Sequence, residues 1–322
     1  MTLAGLGLLS GCDIPFGPAT KPARLRRIGF LSGNSATGSG NLANVAAFRQ
    51  GLQEFGYVEG RDVALDERHA EGSEERYPEL AAELVHLDVE VIVTGGSAVI
   101  RAARQVTATI PIVFAATADP VEEGLVASLA RPGGNITGLT TNFGEEHLKR
   151  LELLKDAVPG LSRVAVLWNQ SAVRNFREIE AAAQRLGIQV LPLEVTSPDD
   201  LDMVLAAATV QRVDGLMTVG GPVFGFLASR IAEFAVRHRL PAMYSNPPAI
   251  EAGGLMTYTA NIPQNYRRAA TYVDKILKGA KPADLPVQQP TAYDFVINLR
   301  TAQAIGLTVP RSVLQQATDV IQ

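Results

Sequence analysis

The stretch Arg27-Ile-Gly-Phe-Leu-Ser-Gly-Asn34 and the segment from Asn41 to Phe55 that follows it decide the fold class. The first contains the short apolar run Ile28 to Leu31, which is typical of a buried strand. In the second, apolar residues recur at the spacing of one helical stripe, at Val45, Phe48, Leu52 and Phe55. A strand followed by an amphipathic helix predicts parallel βαβ units where the pattern repeats along the chain.

The pattern does repeat, in two similar series. In the first series, strands are predicted at Val63 to Asp66, Val91 to Thr94, Ile112 to Phe114 and Ile136 to Thr140, with helices that begin near Ser73, Ser97 and Asp119. In the second series, strands are predicted at Val164 to Trp168, Gln189 to Val195, Gly215 to Val219 and Ala242 to Tyr244, with helices at Glu145 to Val158, Ser171 to Leu186, Ser197 onward and Val223 to His238. The fold is therefore predicted to be α/β, with two doubly wound parallel-sheet lobes joined by a hinge.

The two series define the predicted domains. Residues 27–140 form the N-terminal lobe and residues 141–258 the C-terminal lobe, and the connections near Thr140 and from Ala252 to Tyr258 would act as hinges. A helix from Gln264 to Leu277 and an extended, proline-rich segment from Ala283 to Pro290 follow. Part of residues 259–322 is expected to return to the N-terminal lobe.

The composition limits the classes of partner. The 322 residues include 29 Lys and Arg against 33 Asp and Glu, for a formal charge of −4, with no long basic run. Nucleic acid is therefore an unsuitable partner, because its phosphates require a concentrated basic face. A chain with 1 cysteine cannot form an internal disulfide or a zinc site built from paired CxxC motifs. The expected partners are neutral, small or both.

That cysteine, Cys12, ends an apolar stretch at the start of the chain that is too short to span a bilayer. The residues Leu9-Ser-Gly-Cys12 resemble a bacterial lipobox, in which the cysteine thiol is acylated with lipid. Residues 1–12 are accordingly predicted to be a lipoprotein signal segment and residues 13–26 a polar, proline-rich tether. The predicted location is the periplasm or cell surface, anchored to the cytoplasmic membrane, and Asp13 resembles an inner-membrane retention signal. The alternative is an incidental or buried cysteine.

No Lys or Arg precedes Cys12, although signal peptides begin with basic residues. We therefore expect the basic segment of the signal peptide to lie upstream of Met1.

Each candidate motif for catalysis or cofactor binding lacks a residue that the motif requires. The glycine spacing of Gly33 to Gly40 fits a phosphate-binding loop, but Ser39 stands where the loop requires lysine. The segment Gly95 to Val99 resembles a nucleophile elbow, but Val99 replaces its second glycine. No GxGxxG fingerprint follows the first strand, so no dinucleotide cofactor is expected. We predict no catalytic residues and no cofactor.

The histidines do not indicate a metal site either. The chain has four histidines, and none of them has the spacing of a metal motif: His69, His86, His147 and His238. Three of the four fall in charged helical patterns, His147 among them, and are expected to be solvated.

The loops at the carboxyl ends of parallel strands form the ligand-binding edge of such a sheet, so candidate site residues are taken from there. In the first lobe, Ser32, Gly33 and Asn34 offer donors and close backbone approach. Ser97 opens a helix after two glycines, where free N–H groups would suit a carboxylate, or it only caps that helix. Asp119 is either a structural cap in Asp-Pro-Val-Glu122 or a contact for a ligand ammonium, with the Thr117 hydroxyl beside it.

The second lobe would present polar loop ends with nearby aromatic residues. The candidates there are Trp168, Asn169, Gly220, Gly221, Tyr244 and Ser245, with Asn246 next to them. Trp168 ends an apolar strand, so it is either a core residue or a ring that stacks on the ligand. Two facing sets of loop residues would form a cleft, and hinge closure would hold a ligand inside it.

Four blocks of sequence occur together and in order: Phe48 to Gly60, Ala118-Asp-Pro120, Ser128 to Gly138 and Asp294 to Arg300. In these blocks the chain resembles the ABC transporter substrate-binding protein family that includes tryptophan and tyrosine receptors. The likeness runs from Arg27 to Gln322. It implies a type I periplasmic-binding-protein fold with Rossmann-like lobes, and delivery of solute to an ABC permease and its ATPase subunit.

The same resemblance implies an aromatic amino acid as ligand, with Ser97 on the carboxylate and Asp119 on the ammonium side. One departure is the sequence Val219-Gly-Gly-Pro222, where many relatives have an acid before the proline. An ammonium without adequate carboxylate pairing would lose several kcal/mol on binding. The ligand then either lacks an amino group or relies on Asp119 alone.

These observations predict a non-enzymatic, lipid-anchored solute-binding protein of an ABC importer that captures an aromatic amino acid or related carboxylate. The alternative is a sensory solute receptor for a membrane signalling protein. A two-lobed glycosyltransferase would need a nucleotide-phosphate site, which the motifs do not provide. A repressor would need a helix-turn-helix unit before Arg27, and that segment contains none.

Overall fold

The computed structural model describes residues 25–141, 145–220 and 223–322. Cys12, the predicted signal segment, most of the predicted tether and Gly221 lie outside the described residues. The predictions that concern them are therefore not addressed by the fold.

The first sheet consists of five parallel strands in the order β2-β1-β3-β4-β5. The strands β3, β4 and β5 are short runs in which every residue is buried, whereas the edge strand β2 is charged and half-buried beyond Val63. Three α-helices connect them. The elements are β1 (Arg26–Ser32), α1 (Ser39–Glu54), β2 (Val63–His69), α2 (Tyr77–His86), β3 (Val91–Thr94), α3 (Ser97–Val106), β4 (Ile112–Phe114) and β5 (Ile136–Gly138).

The second sheet has seven strands in the order β12-β11-β10-β9-β8-β6-β7, in which only the pair β10 and β11 is antiparallel. Its strands are β6 (Arg163–Trp168), β7 (Gln189–Glu194), β8 (Gly215–Thr218), β9 (Ala242–Tyr244), β10 (Met256–Ala260), β11 (Tyr293–Asn298) and β12 (Asp319–Ile321). The helices after β5 are α4 (Glu145–Ala157), α5 (Val173–Leu186), α6 (Leu201–Val210), α7 (Val223–Phe226), α8 (Ala228–Arg237), α9 (Pro248–Glu251), α10 (Ile262–Leu277), α11 (Leu299–Ile305) and α12 (Arg311–Leu314).

Helix α10 returns from the second sheet to the first lobe, where it packs against α1. The two helices approach so closely that a Cβ added to Gly51 would lie 2.3 Å from the carbonyl oxygen of Arg267. Tyr266, Ala270 and Val273 of α10 belong to the same core cluster as the first-sheet strands. The extended segment behind α10 also lies on the first lobe, since Gln288 bridges to Leu139 next to β5. The chain then passes back to the second sheet through β11.

The prediction of an α/β fold with two parallel-dominated lobes is confirmed. The second sheet extends past residue 258, the boundary taken from the sequence, because β11 and β12 complete its edge. The predicted helix at Asp119 is wrong, since the chain makes a turn there and Leu125 and Val126 both donate back to the carbonyl of Pro120. The helix predicted from Val223 to His238 is divided into α7 and α8.

Candidate ligand-binding cleft

A cavity of about 260 Å³ lies between the two lobes, at the carboxyl ends of their strands. The first lobe contributes Ala118 and Thr141, and the loops of the second lobe contribute Ser171, Ala172, Asn175, Gly220 and Ser245. Helix α4 adds Glu146, His147 and Arg150. This location is the one at which open parallel sheets bind their ligands.

The polar loop ends of the second lobe are held by their own hydrogen bonds. The backbone N–H of Ser245 donates to Thr218 Oγ1 (3.0 Å), so the end of β9 is fixed against the end of β8. Gly220 has a φ of +111°, and a Cβ there would lie 2.5 Å from the Cβ of Ala172. Only glycine therefore lets the chain pass this close to the loop after β6.

Three ionisable side chains on the first two turns of α4 are buried. Glu146, His147 and Arg150 are 7%, 3% and 3% exposed, respectively. Arg150 forms an ion pair with Glu146 and donates to the carbonyl oxygen of Tyr258 (2.7 Å) and to His147 Nδ1 (3.3 Å). Burial lowers the pKa of the Arg150 guanidinium to about 9, so it remains charged at neutral pH.

One ring nitrogen of His147 has no hydrogen-bond partner among the described residues. Its Nε2 is buried and has no hydrogen-bond partner in the described part of the chain. Burial, with a further contribution from the positive charge of Arg174, lowers the pKa of His147 to about 4. The imidazole is therefore neutral at neutral pH. The prediction that this histidine is solvated is wrong, because α4 packs its face against the second sheet through Leu151 and Leu154.

The first lobe places two hydroxyl groups beside the cavity. Thr117 Oγ1 donates to the carboxylate of Glu123, 3.3 Å from each oxygen, and lies 3.2 Å from Ser97 Oγ. A hydroxyl has one hydrogen, so Ser97 is the donor in the second contact. The N–H group of Thr141, which lines the cavity, donates to the carbonyl oxygen of Thr117 (2.8 Å). The pair of Ser97 and Thr117 is thereby joined to the cavity wall.

Asp119 acts as a cap and also connects the lobes. Its Oδ1 accepts from the backbone N–H groups of Val121 (3.1 Å) and Glu122 (3.0 Å), although no helix follows. Its Oδ2 lies 2.7 Å from Arg174, which extends from α5 of the second lobe and also reaches Glu122 at 3.3 Å. These contacts lower the pKa of Asp119 although its partial burial acts in the opposite direction. The carboxylate predicted for a ligand ammonium thus has protein partners.

Three other predicted residues, Ser32, Gly33 and Asn169, contact groups of the protein itself. Ser32 Oγ donates to Asn41 Oδ1 (2.7 Å), and a Cβ on Gly33 would lie 2.8 Å from the Tyr77 hydroxyl. The Asn169 side chain accepts from Ser171 Oγ (2.9 Å).

Both aromatic candidates of the second lobe are packing residues. Trp168 stacks on Phe176, with ring centroids 4.8 Å apart, and packs against the core between α4, α5 and the sheet. Tyr244 is 1% exposed and lies in the cluster on the opposite face of the sheet. Of the predicted residues that the structure describes, it brings Gly220 and Ser245 to the cavity wall.

Sequence reasoning missed the charged residues of α4. A helix with Glu146, His147, Lys149 and Arg150 reads as a solvated face. The available signal is the i, i+4 spacing of Glu146 and Arg150, which allows an ion pair, followed by the apolar stripe of Leu151 and Leu154. Within the described residues, no group of three His, Cys, Asp or Glu side chains could hold a metal ion, and no helix has the length and apolar character to cross a membrane.

The family model for ABC transporter substrate binding proteins matches residues 35–321. The chain belongs to this family. Its members are solute-binding receptors and not enzymes, which confirms the family and the non-enzymatic class predicted from the four sequence blocks.

Several known proteins are similar to most of the chain. A tyrosine-binding protein of Clostridioides difficile (strain R20291) is 23% identical over 263 residues, which cover 81% of this chain and 75% of that protein. The ABC domain in complex with L-Trp from Streptococcus pneumonia is 25% identical, with a TM-score of 0.77, and the match covers 92% of this chain and all (100%) of that one. A ligand-free, open substrate-binding protein of Clostridium difficile, 22% identical, has the same fold with a TM-score of 0.79.

Proposed function

We propose that this receptor captures an aromatic amino acid or a related aromatic carboxylate in the inter-lobe cleft and delivers it, unchanged, to an ABC importer. The observation that carries the proposal is the cavity at the carboxyl ends of the strands, with polar groups from both lobes on its wall. Its volume of about 260 Å³ is near the lower end of the range of small-molecule pockets, about 300–1,000 Å³. A solute the size of an amino acid suits it better than a larger one.

Two relatives support the choice of solute. One is named for tyrosine and the other was determined with L-Trp, and each matches at least four-fifths of this chain. Ser97 begins α3, where the first N–H groups of the helix have no partner within the helix. A solute carboxylate placed there would receive donors from the backbone of the helix.

Isothermal titration of the full chain tests the solute class. The panel contains L-tryptophan, L-tyrosine, L-phenylalanine, indole-3-propionate and, as controls, L-leucine and D-ribose. We expect micromolar or tighter binding of at least one aromatic compound and none of the sugar. Binding of the sugar alone, or chemical change of a bound compound on mass spectrometry, contradicts the proposal.

A lipid anchor on Cys12 is the second part of the proposal, and the lipobox-like residues Leu9-Ser-Gly-Cys12 support it. The anchor would hold the receptor at the outer face of the cytoplasmic membrane. Metabolic labelling with a radioactive fatty acid in a bacterial host, of the wild type and Cys12→Ser, tests it. Label in the wild type alone supports the anchor, and an unlabelled wild type refutes it.

Delivery to a permease and its ATPase subunit is the third part, supported by membership of the family. Uptake of the radiolabelled solute by cells of the source organism is the assay. Deletion of the gene should abolish the saturable, high-affinity component of uptake, and the restored gene should return it. Uptake that is unchanged by deletion would instead favour a sensory receptor.

A further inference from the structure

We propose, resting on the function above, that His147 is a ligand-binding residue whose Nε2–H donates a hydrogen bond to an oxygen acceptor of the solute. The residue lines the cavity and lies on α4, which the sequence did not indicate as part of the site. The inference follows from its tautomer, its burial and the groups around it.

The tautomer of His147 is fixed by Arg150. The guanidinium of Arg150 lies 3.3 Å from His147 Nδ1, and an arginine can only donate hydrogen bonds. Nδ1 must therefore be the accepting, unprotonated nitrogen of the neutral ring. The single ring hydrogen is consequently on Nε2.

That hydrogen has no acceptor among the residues that the structure describes. His147 is 3% exposed, and Nε2 is buried without a partner in the described residues. A buried donor that lacks both water and a protein acceptor carries an energetic cost, which an incoming acceptor removes. Since the same side chain lines the cavity of about 260 Å³, the solute is the group that can supply this acceptor.

The charges around His147 keep it in the neutral, donating form. Arg150 and Glu146 face it from α4, Arg174 from α5, and the Tyr258 carbonyl of β10 accepts from Arg150 and not from the imidazole. Burial and the Arg174 charge hold the pKa of His147 well below neutral. The donor is therefore present throughout the range in which a carboxylate or carbonyl oxygen would be its acceptor.

The test compares two substitutions at this position by isothermal titration with L-tryptophan and L-tyrosine. His147→Leu removes the donor, and His147→Gln places an amide N–H near the position of Nε2. We expect His147→Leu to weaken binding by about tenfold to a hundredfold and His147→Gln to retain wild-type affinity within about threefold. His86→Leu is the matched control, since His86 is an exposed histidine of the first lobe, and it should leave affinity unchanged.

A measurement on the wild-type chain does not depend on the folding of any variant. Long-range ¹H–¹⁵N correlation spectra of histidine-labelled protein should show one buried ring protonated at Nε2, whose Nε2 and Hε2 shifts move when the solute is added. Comparison of L-tryptophan with L-tryptophanamide distinguishes a carboxylate from a carbonyl acceptor. Unchanged binding in His147→Leu, or a protonated Nδ1, overturns the assignment while the proposed function stands. A wild-type chain that binds no aromatic compound overturns both.

Discussion

Replacement of Arg150 by methionine should destabilise the second lobe more than any single change of surface charge. The guanidinium is almost fully buried and makes an ion pair with Glu146, which is itself 7% exposed. Arg150→Met keeps most of the aliphatic volume and leaves the Glu146 carboxylate without its cation. The loss of one partner of a buried ion pair costs about 3–5 kcal/mol, because the remaining charge is left uncompensated.

A double variant separates this effect from lost packing. Glu146→Leu combined with Arg150→Met removes both charges, so the remaining cost is that of the acceptors at Tyr258 and His147 that lose their donor. Each such loss is worth about 1 kcal/mol. We therefore expect the double variant to be less destabilised than Arg150→Met by about 2 kcal/mol.

Urea unfolding of the ligand-free chain, followed by circular dichroism, measures these differences, and calorimetry gives the corresponding melting temperatures. A loss of about 4 kcal/mol lowers the melting temperature of a unit this size by about 10 °C. A loss below about 1 kcal/mol in Arg150→Met, the value typical of an exposed pair, would refute the reasoning. Strictly additive effects of the two substitutions would do the same.

Three further outcomes follow from the cleft. Burial and the Arg174 charge lower the pKa of His147 to about 4, so the unfolded chain binds a proton at higher pH than the folded chain does. The free energy of unfolding should therefore fall by about 3 kcal/mol as the pH drops from about 7.5 to 4. The urea midpoint of His147→Gln should depend less on pH over that range than the midpoint of the wild type. Arg174→Met removes the 2.7 Å ion pair with Asp119, a half-exposed contact worth about 0.2–1 kcal/mol, and X-ray scattering should show a larger radius of gyration without ligand. Gly220→Ala puts a Cβ 2.5 Å from that of Ala172, and titration should show weakened binding, with a lower melting temperature.

The fold was predictable because its strands carry a strong local signal. The run Val91–Thr94, three apolar residues and a threonine, is fully buried in the centre of a parallel sheet, as such short runs typically are. The sequence Asp119-Pro-Val-Glu122 indicates a cap, and the Asp119 carboxylate accepts from two backbone N–H groups as a cap does. The helix expected after it does not form, because the chain turns back at Gly124, where φ is +66°.

The site was less predictable because its residues are defined by tertiary position. Tyr244 and Ser245 are adjacent, yet Tyr244, the last residue of β9, belongs to the core cluster, whereas Ser245 begins the loop at the carboxyl end of the strand and lines the cavity. Glu146 and Arg150 have the composition of a solvated helix face. Their burial depends on how α4 packs against the second sheet, and no local sequence pattern specifies that packing.

The arrangement of charges in the cleft also bears on the acid that is missing directly before Pro222 in the sequence. Glu146 is the carboxylate found on the described part of the cavity wall, and Arg150 already neutralises it. The hydroxyl of Ser245 and the imidazole of His147 are neutral groups on that wall that can donate to oxygen. Because a desolvated ammonium requires a free carboxylate whereas a solute oxygen requires only donors, we expect the described part of the cleft wall to stabilise the acid end of a solute more than an amine.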